Sequence, residues 1–259
     1  MPFTFAHPAA VLPLARRLWL PGLVAGSLAP DVAYYLPVPG GEVTHDVAGL
    51  PGIDLLLGLV LVAVGYLVLA PVLALGPAGW RERVPRPDVL APWRTPRAAL
   101  VSLLSVVVGA ATHLLWDAFT QTGGFAVRHW AVLHVSVVGP HRLYNVLGYV
   151  SSAGGLLLLG VLVTRWYRRA PRAEGSWPAL PPAARVVVAA GLGAGLVAGA
   201  LLGLTDPVSG VSEYDRVRCL LLGAVRGAAV AAALYVLCWP RLPRMARVAQ
   251  PGLARPWRQ

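Results

Sequence analysis

The sequence has 259 residues, of which 57% are hydrophobic and only 13% charged, a formal net charge of +11 and a mean hydropathy of +0.65. Soluble domains usually carry about 25% charged residues, so this composition argues against a soluble enzyme and indicates a multi-pass membrane protein. The positive charge does not predict a nucleic-acid partner, because the arginines lie between apolar segments, where the positive-inside rule explains them.

The first 52 residues predict an irregular helical segment. Residues 8–29 are apolar but are interrupted by Pro13, Arg16, Arg17 and Pro21. A short helix, a loop and a half-span that ends at Asp31 fit this pattern better than two full crossings. We therefore expect a helical or re-entrant hairpin, a backbone that a membrane tolerates only where protein or a watery cavity surrounds it.

Five later segments are long enough to cross a hydrocarbon core of about 30 Å, which takes about 20 residues. They are residues 53–76, 98–119, 146–165, 186–205 and 216–239. In lipid, a helix satisfies its own backbone hydrogen bonds. The predicted fold is therefore all-α, a multi-pass bundle of five full spans plus the N-terminal hairpin. We expect one integral membrane domain over 1–259, made of a polar N-terminal segment (1–52), the first three spans (53–165) and the last two spans with a basic tail (166–259).

The loops alternate in charge and predict the orientation. Arginines crowd the segments 77–97 and 165–185 and the tail after the last span, whereas 120–145 has two arginines and 206–215 has three carboxylates. Positive loops stay in the cytoplasm. The C-terminus is therefore expected inside and the 120–145 loop outside. In the span 186–205, Gly195, Gly199 and Gly203 are spaced to allow close contact with another helix.

The span 98–119 carries the most informative pair of residues. His113 and Asp117 are four residues apart and share one face of a helix. Ionisable side chains inside an apolar span are costly and usually mark a functional site. In the predicted orientation, all six histidines and the carboxylates of Asp31, Asp46 and Asp117 fall at or near the outer side. Imidazole and carboxylate together suit a divalent metal ion, zinc above all.

Two other interpretations of these polar residues stay open. Polar side chains in membrane helices also hold helices together, and an aspartate after a proline, such as Asp31, is common in turns. The protein would then be a non-enzymatic structural or partner-binding membrane protein. A small transporter, with the cluster as a proton or metal relay, is the remaining alternative. Three histidines of the 120–145 loop are weaker candidates for a direct role: His129, His134 and His141.

Four short segments together carry a resemblance to known families. They are MPFTFAHPAA at the start, GSLAPDVAYYL at 26–36, THD at 44–46 and THLLWDAFTQTGG at 112–124. They resemble an uncharacterised bacterial membrane family, a domain of unknown function whose members open with MPFT and a nearby HP. Their order is also similar to that of bacterial inner-membrane metal-dependent hydrolases, which distantly resemble zinc-dependent phospholipase C.

The resemblance implies a metal-dependent hydrolase in the bacterial cytoplasmic membrane, acting on a phosphoester or lipid-like substrate at the outer surface. The implied ligands of a divalent ion, zinc by preference, are His7, Asp31, His45, His113 and Asp117. Carboxylates can also act as general bases, and on that ground Asp46 and Asp117 are the candidate catalytic residues. The hydrolases often carry a further Asp and His after the PD element, where this chain has Ala33, Tyr34 and Tyr35, and a Ser at the position of Asp46. The number of metal ions therefore stays open.

Arg226 lies inside the last span, where an arginine is costly unless it is paired or hydrated. It can extend to the membrane surface or pair with a carboxylate. It can also bind an anionic substrate group, such as a phosphate headgroup near the metal. The sequence leaves the substrate, the oligomeric state and the activity itself undetermined; beyond the lipid bilayer it predicts no macromolecular partner.

Overall fold

The computed structural model describes residues 3–172 and 177–240, and these form helices joined by short turns. The α-helices are α1 (Pro8–Val11), α2 (Leu20–Leu28), α3 (Val32–Tyr35), α4 (Leu55–Leu75), α5 (Ala78–Arg81), α6 (Pro96–Thr120), α7 (Phe125–His129), α8 (Leu143–Arg169), α9 (Pro182–Gly203) and α10 (Glu213–Cys238). Two short antiparallel strands precede α8, β1 (Ser136–Val138) and β2 (His141–Arg142), with Ser136 opposite Arg142.

Single turns of tighter or wider helix connect these elements. The 3₁₀ turns are Thr4–Ala6, Leu12–Arg16, Ala29–Asp31, Gly41–Val43, Val47–Gly49, Ala91–Trp93, Ala131–His134 and Pro207–Gly210. One π-helical turn, Leu50–Asp54, leads directly into α4. Such π-turns are rare and often occur at functional sites.

Within residues 3–172 and 177–240, five helical stretches are long and apolar enough to cross a membrane. They are Val47–Leu75, Pro96–His129, Leu143–Arg169, Pro182–Gly203 and Asp215–Cys238. Their number and order match the five predicted spans, so the prediction of an all-α, multi-pass membrane fold is confirmed. At most a third of the most apolar window of each is buried inside the protein, which leaves apolar surface for the lipid.

The N-terminal segment is a chain of short helices, as its prolines predict. Proline is well placed at the start of a helix, where its missing N–H is not needed. Pro8 begins α1, and Pro21 lies in the first turn of α2. The nine residues of α2 rise only about 14 Å, roughly half of a hydrocarbon core, so this helix is too short to cross a membrane.

The described residues divide into two compact units. The first contains 3–66 and 86–170, and the second contains 67–85, 171–172 and 177–240. In the first unit, α2 lies directly against α6. A Cβ added at Gly26 would collide with the carbonyl of Val106, and one at Gly109 with that of Leu23. The Trp19 N–H also donates to Ser105 Oγ at 2.9 Å. This close packing brings the C-terminal end of α2 beside the middle of α6.

In the second unit, α9 and α10 pack through glycines. A Cβ at Gly195, Gly199 or Gly203 would approach the backbone of α10 too closely, as Gly223 and Gly227 would approach that of α9. The prediction that the three α9 glycines allow close contact with another helix is thus confirmed. The Tyr235 hydroxyl of α10 donates to the Pro71 carbonyl at 2.9 Å and ties this hairpin to the second half of α4.

Candidate metal centre

Four separate elements of the first unit bring their polar side chains to one point. His7 follows the turn Thr4–Ala6, and Asp31 ends the turn that extends α2. His45 lies in the loop between two 3₁₀ turns. His113 and Asp117 lie one turn apart on α6. The five residues that the sequence proposed as metal ligands therefore come together.

The tightest group contains four of them. His113 Nε2 lies 3.2 Å from Asp117 Oδ2 and 3.5 Å from Asp31 Oδ1. His45 Nε2 lies 3.4 Å from Asp31 Oδ1 and 3.7 Å from Asp117 Oδ2. One potential ligand atom from each of these four residues lies within 4.8 Å of the others. Zinc binds nitrogen and oxygen ligands at 2.0–2.2 Å, and the four atoms lie close enough together that the group could hold a metal ion after small adjustments.

The hydrogen bonds of the two imidazoles determine which nitrogen faces this group. His113 Nδ1 lies 2.8 Å from the Ser27 carbonyl, which can only accept, so Nδ1 carries the proton. The Thr44 hydroxyl donates to the Gly41 carbonyl at 3.0 Å and is then free to accept from His45 Nδ1 at 3.1 Å. In the neutral form, both Nε2 atoms therefore present lone pairs to the carboxylates. Four hydrogen-bond acceptors then face one another. Their lone pairs repel unless a cation, either a metal ion or a proton, lies between them.

Each of the two carboxylates also accepts a hydrogen bond from another side chain. Asp31 Oδ2 accepts from the Thr4 hydroxyl at 2.5 Å, and the Tyr35 hydroxyl lies 3.0 Å from Thr4. Asp117 Oδ2 accepts from the Gln121 side-chain amide. Burial would raise the pKa of Asp31, but hydrogen bonds that His113 and His45 donate when their Nε2 carries a proton, together with the one from Thr4, hold that pKa well below its usual range. Asp31 is thus ionised, the form that binds a cation. Partners of this kind orient metal ligands in proteins.

A comparison with known protein families places the chain. The model of a family described as a domain of unknown function, DUF4184, matches residues 1–237. The chain belongs to the DUF4184 family. No curated protein and no solved structure matches it. The predicted membership of an uncharacterised family is therefore confirmed, whereas the opening motif and the similarity to metal-dependent hydrolases and phospholipase C have no support from these comparisons.

In this DUF4184 chain, His7 borders the group of four. Its ring stacks on that of His113 with centroids 3.9 Å apart, and its Nε2 lies 3.8 Å from Asp117 Oδ1. Burial and the neighbouring His113 lower the pKa of His7 to about 4, so the ring is neutral at pH 7. Both of its nitrogens are buried without a hydrogen-bond partner among the described residues. His7 is therefore available as a further ligand or as a proton acceptor.

Asp54 is a buried residue that the sequence reasoning missed. It ends the π-turn before α4, is 0% exposed, and neither carboxylate oxygen has a hydrogen-bond partner among the described residues. A Cβ at Gly49, in the loop that follows His45, would come within 3.1 Å of Asp54 Oδ2. A carboxylate at the start of an otherwise apolar span was the available signal, because ionisable residues there are rare.

Asp46 and the histidines of the loop between α6 and α8 make local contacts. Asp46 is exposed, and its Oδ1 accepts from the Ala48 N–H at 3.0 Å, which caps the turn Val47–Gly49. His129 Nδ1 bonds the Phe125 carbonyl, and His134 Nε2 bonds that of Val127, both at 2.7 Å. Neither of these two histidines, nor His141, belongs to the group of four.

Arg226 lies on α10, in the second unit. It lines a groove of about 810 Å³ between α9 and α10, together with Cys219, Asp206 and the glycines of the helix contact. That Arg226 binds an anionic substrate group stays a prediction.

An open cleft in the first unit reaches the group of four. Its volume is about 680 Å³, and its lining includes His45 and Asp117. The rest of the wall is Asp46, Val47, Leu50, Ala111, Leu114, Leu115, Ala118, Gln121, Gly123, Gly124, Phe125 and Arg128. The polar group is thus buried on one side and accessible from the other.

Proposed function

We propose that this protein is an integral membrane hydrolase that depends on a divalent metal ion, zinc by preference, and acts on a phosphoester or lipid-like substrate at the outer surface of the bacterial cytoplasmic membrane. The observation that carries the proposal is the facing of four acceptor atoms, Nε2 of His45 and His113 and one oxygen each of Asp31 and Asp117. Such a set is costly inside a protein unless a cation binds it. Its contact with an open cleft favours catalysis over a purely structural site.

The chemistry assigns roles to these residues. Asp31, His45, His113 and Asp117 would hold the ion, and catalytic zinc sites commonly use three protein ligands with at least one open position. A bound divalent ion polarises a scissile oxygen and lowers the pKa of water toward neutrality. His7, neutral and 3.8 Å from Asp117 Oδ1, is a further ligand or a proton acceptor. Asp46, on the cleft wall, and Asp117 are the candidate general bases.

Metal content tests the proposal directly. The protein is purified in a neutral detergent without chelators, and zinc is measured per chain. Wild type is expected to bind zinc, and His113→Ala to lose it while still inserting into the membrane. Loss of a direct ligand should weaken affinity by more than the roughly 10–100-fold typical of the residues behind the ligands. His129→Ala is the matched control, because His129 bonds only the Phe125 carbonyl, and its zinc content should equal that of wild type.

A structural role for the cluster is the second candidate, and one observation favours it. The bond from His113 Nδ1 to the Ser27 carbonyl joins α6 to the end of α2. On this alternative, His113→Ala lowers the melting temperature and leaves the metal content unchanged. A wild-type protein that is free of metal, with a melting temperature that added zinc does not move, would overturn the hydrolase proposal and leave the structural one.

A further inference from the structure

The cleft beside the candidate metal centre has two chemically different parts. One part of its lining is polar and includes His45, Asp46 and Asp117. Much of its wall is apolar and strongly exposed: Leu115 and Phe125 are each 64% exposed and Val47 is 72% exposed. Leu114 and Leu115 belong to α6, a membrane-spanning helix. A ligand that fills this cleft therefore needs an apolar portion as well as a polar end.

Among the described residues that line this cleft, Arg128 is the only arginine or lysine. It lies in the last turn of α7, beside Ala126 and Val127, which are buried in a small apolar core with Leu133 and Tyr144. The side chain is exposed, and among the described residues its guanidinium has no hydrogen-bond or carboxylate partner. A guanidinium that no protein group occupies is free to bind a phosphate or carboxylate through two parallel hydrogen bonds.

We propose that this cleft binds an amphipathic phosphate ester, with its phosphate between the metal centre and Arg128 and its apolar chain along Leu114, Leu115 and Phe125. The inference rests on the proposed function, since Asp46 and Asp117 would repel an anion unless a cation occupied the centre. The apolar wall on a membrane-spanning helix indicates that the substrate enters from the bilayer. Arg128, in the same unit as the centre, is therefore the residue that selects for an anionic headgroup.

Binding of two probes distinguishes the contribution of the phosphate to affinity from that of the alkyl chain. Zinc-loaded protein in neutral-detergent micelles is titrated with dodecyl phosphate and with inorganic phosphate, and both dissociation constants are measured. Wild type is expected to bind dodecyl phosphate at least about tenfold more tightly, because several methylenes of its alkyl chain are buried against the apolar wall. Equal affinity for the two probes would indicate a site for soluble phosphate and would overturn the placement of the ligand's apolar chain in the cleft.

Variants then test each part of the cleft. Arg128→Gln should weaken dodecyl phosphate binding by about 10- to 100-fold, as loss of a charged hydrogen bond does. Arg142→Gln is its control, because Arg142 is an exposed arginine of the same loop that bonds His134 and does not line the cleft. Leu115→Ser should weaken dodecyl phosphate binding but not phosphate binding. Leu104→Ser is its control, since Leu104 is an exposed leucine of α6 outside the cleft.

Zinc measured on the same preparations distinguishes a failure of the cleft assignment from a failure of the proposed metal-dependent function. Wild type that holds zinc but binds dodecyl phosphate no better than Arg128→Gln overturns the cleft assignment and leaves the metal site intact. Wild type without zinc overturns the proposed function, and this inference with it.

Discussion

The side chains that hydrogen-bond to the candidate ligands influence how strongly the centre can hold a cation. Thr44 is the clearest case, because its hydroxyl is fully buried, donates to Gly41 and is left to accept from His45 Nδ1. This arrangement fixes the ring of His45, the most exposed of the four ligand candidates, whose side chain is 26% exposed. Without it, the ring could rotate and present either nitrogen to the carboxylates.

Thr44→Val, which keeps the shape of the side chain and removes the hydroxyl, should therefore lower zinc affinity by about 10–100-fold without abolishing binding. Competition with a chromogenic zinc chelator measures this change. Thr112→Val is the control, because the Thr112 hydroxyl bonds only the Gly109 carbonyl within α6. Equal affinities in the two variants would show that the Thr44 hydroxyl does not orient the ring.

At the residue scale, the sequence predicts what depends on spacing along one helix. The four-residue step from His113 to Asp117 put both on one face, and the structure has Nε2 and Oδ2 3.2 Å apart. The contacts of Ser27, Thr44 and Thr4 lay beyond prediction. Those of Ser27 and Thr4 join groups far apart in sequence, such as Ser27 and His113, which are separated by 86 residues, and those of Thr44 depend on the local conformation of its loop.

At the element scale, glycines decide how closely helices approach. Around the centre, Gly26 and Gly109 let α2 and α6 touch backbone to backbone, and Asp31, in the turn after α2, comes within 3.5 Å of His113 on α6. In the second unit, Gly199 of α9 faces Gly223 and Gly227 of α10 in the same way. Any side chain at these positions would push the paired helices apart.

Gly199→Ala should therefore destabilise the protein by about 1–3 kcal/mol, the usual cost of overpacking. Thermal unfolding in detergent would show this as a lower melting temperature. Gly191→Ala, on the same helix but with open space where the methyl group goes, should leave the melting temperature unchanged or slightly higher, because alanine favours helix. Equal melting temperatures for the two variants would contradict the packing argument.

The long helices were predictable because composition alone decides whether a segment can cross lipid. The N-terminal segment was not predictable in detail. Its turns contain prolines at helix starts, at Pro8, Pro21 and Pro30, and each turn is too short to carry a periodic pattern. The π-turn before α4 had no sequence signal, because the residues Leu50–Asp54 would also suit an α-helix or a loop.

At the scale of the whole molecule, the orientation in the membrane follows from the arginine-rich loops and stays a prediction. The C-terminus is expected in the cytoplasm, and the 120–145 loop, which contains Arg128, on the outer side. Fusing a reporter that is active only outside the cytoplasm to Gln259 should give no signal, and the same reporter inserted after Gly139, in the hairpin turn, should give a strong one. The reverse pattern would place the candidate centre on the cytoplasmic side.

The order in which the chain is synthesised has a consequence for the centre. Three ligand candidates, His7, Asp31 and His45, lie among short helices at the N-terminus, whereas the other two lie on α6, more than sixty residues later in the chain. The contacts that hold α2 in place come from Ser105, Val106 and Gly109 of that same helix. The early residues therefore emerge from the ribosome as an incomplete half of the candidate site, and a metal ion could meet the complete set only after α6 has been synthesised and has packed against them.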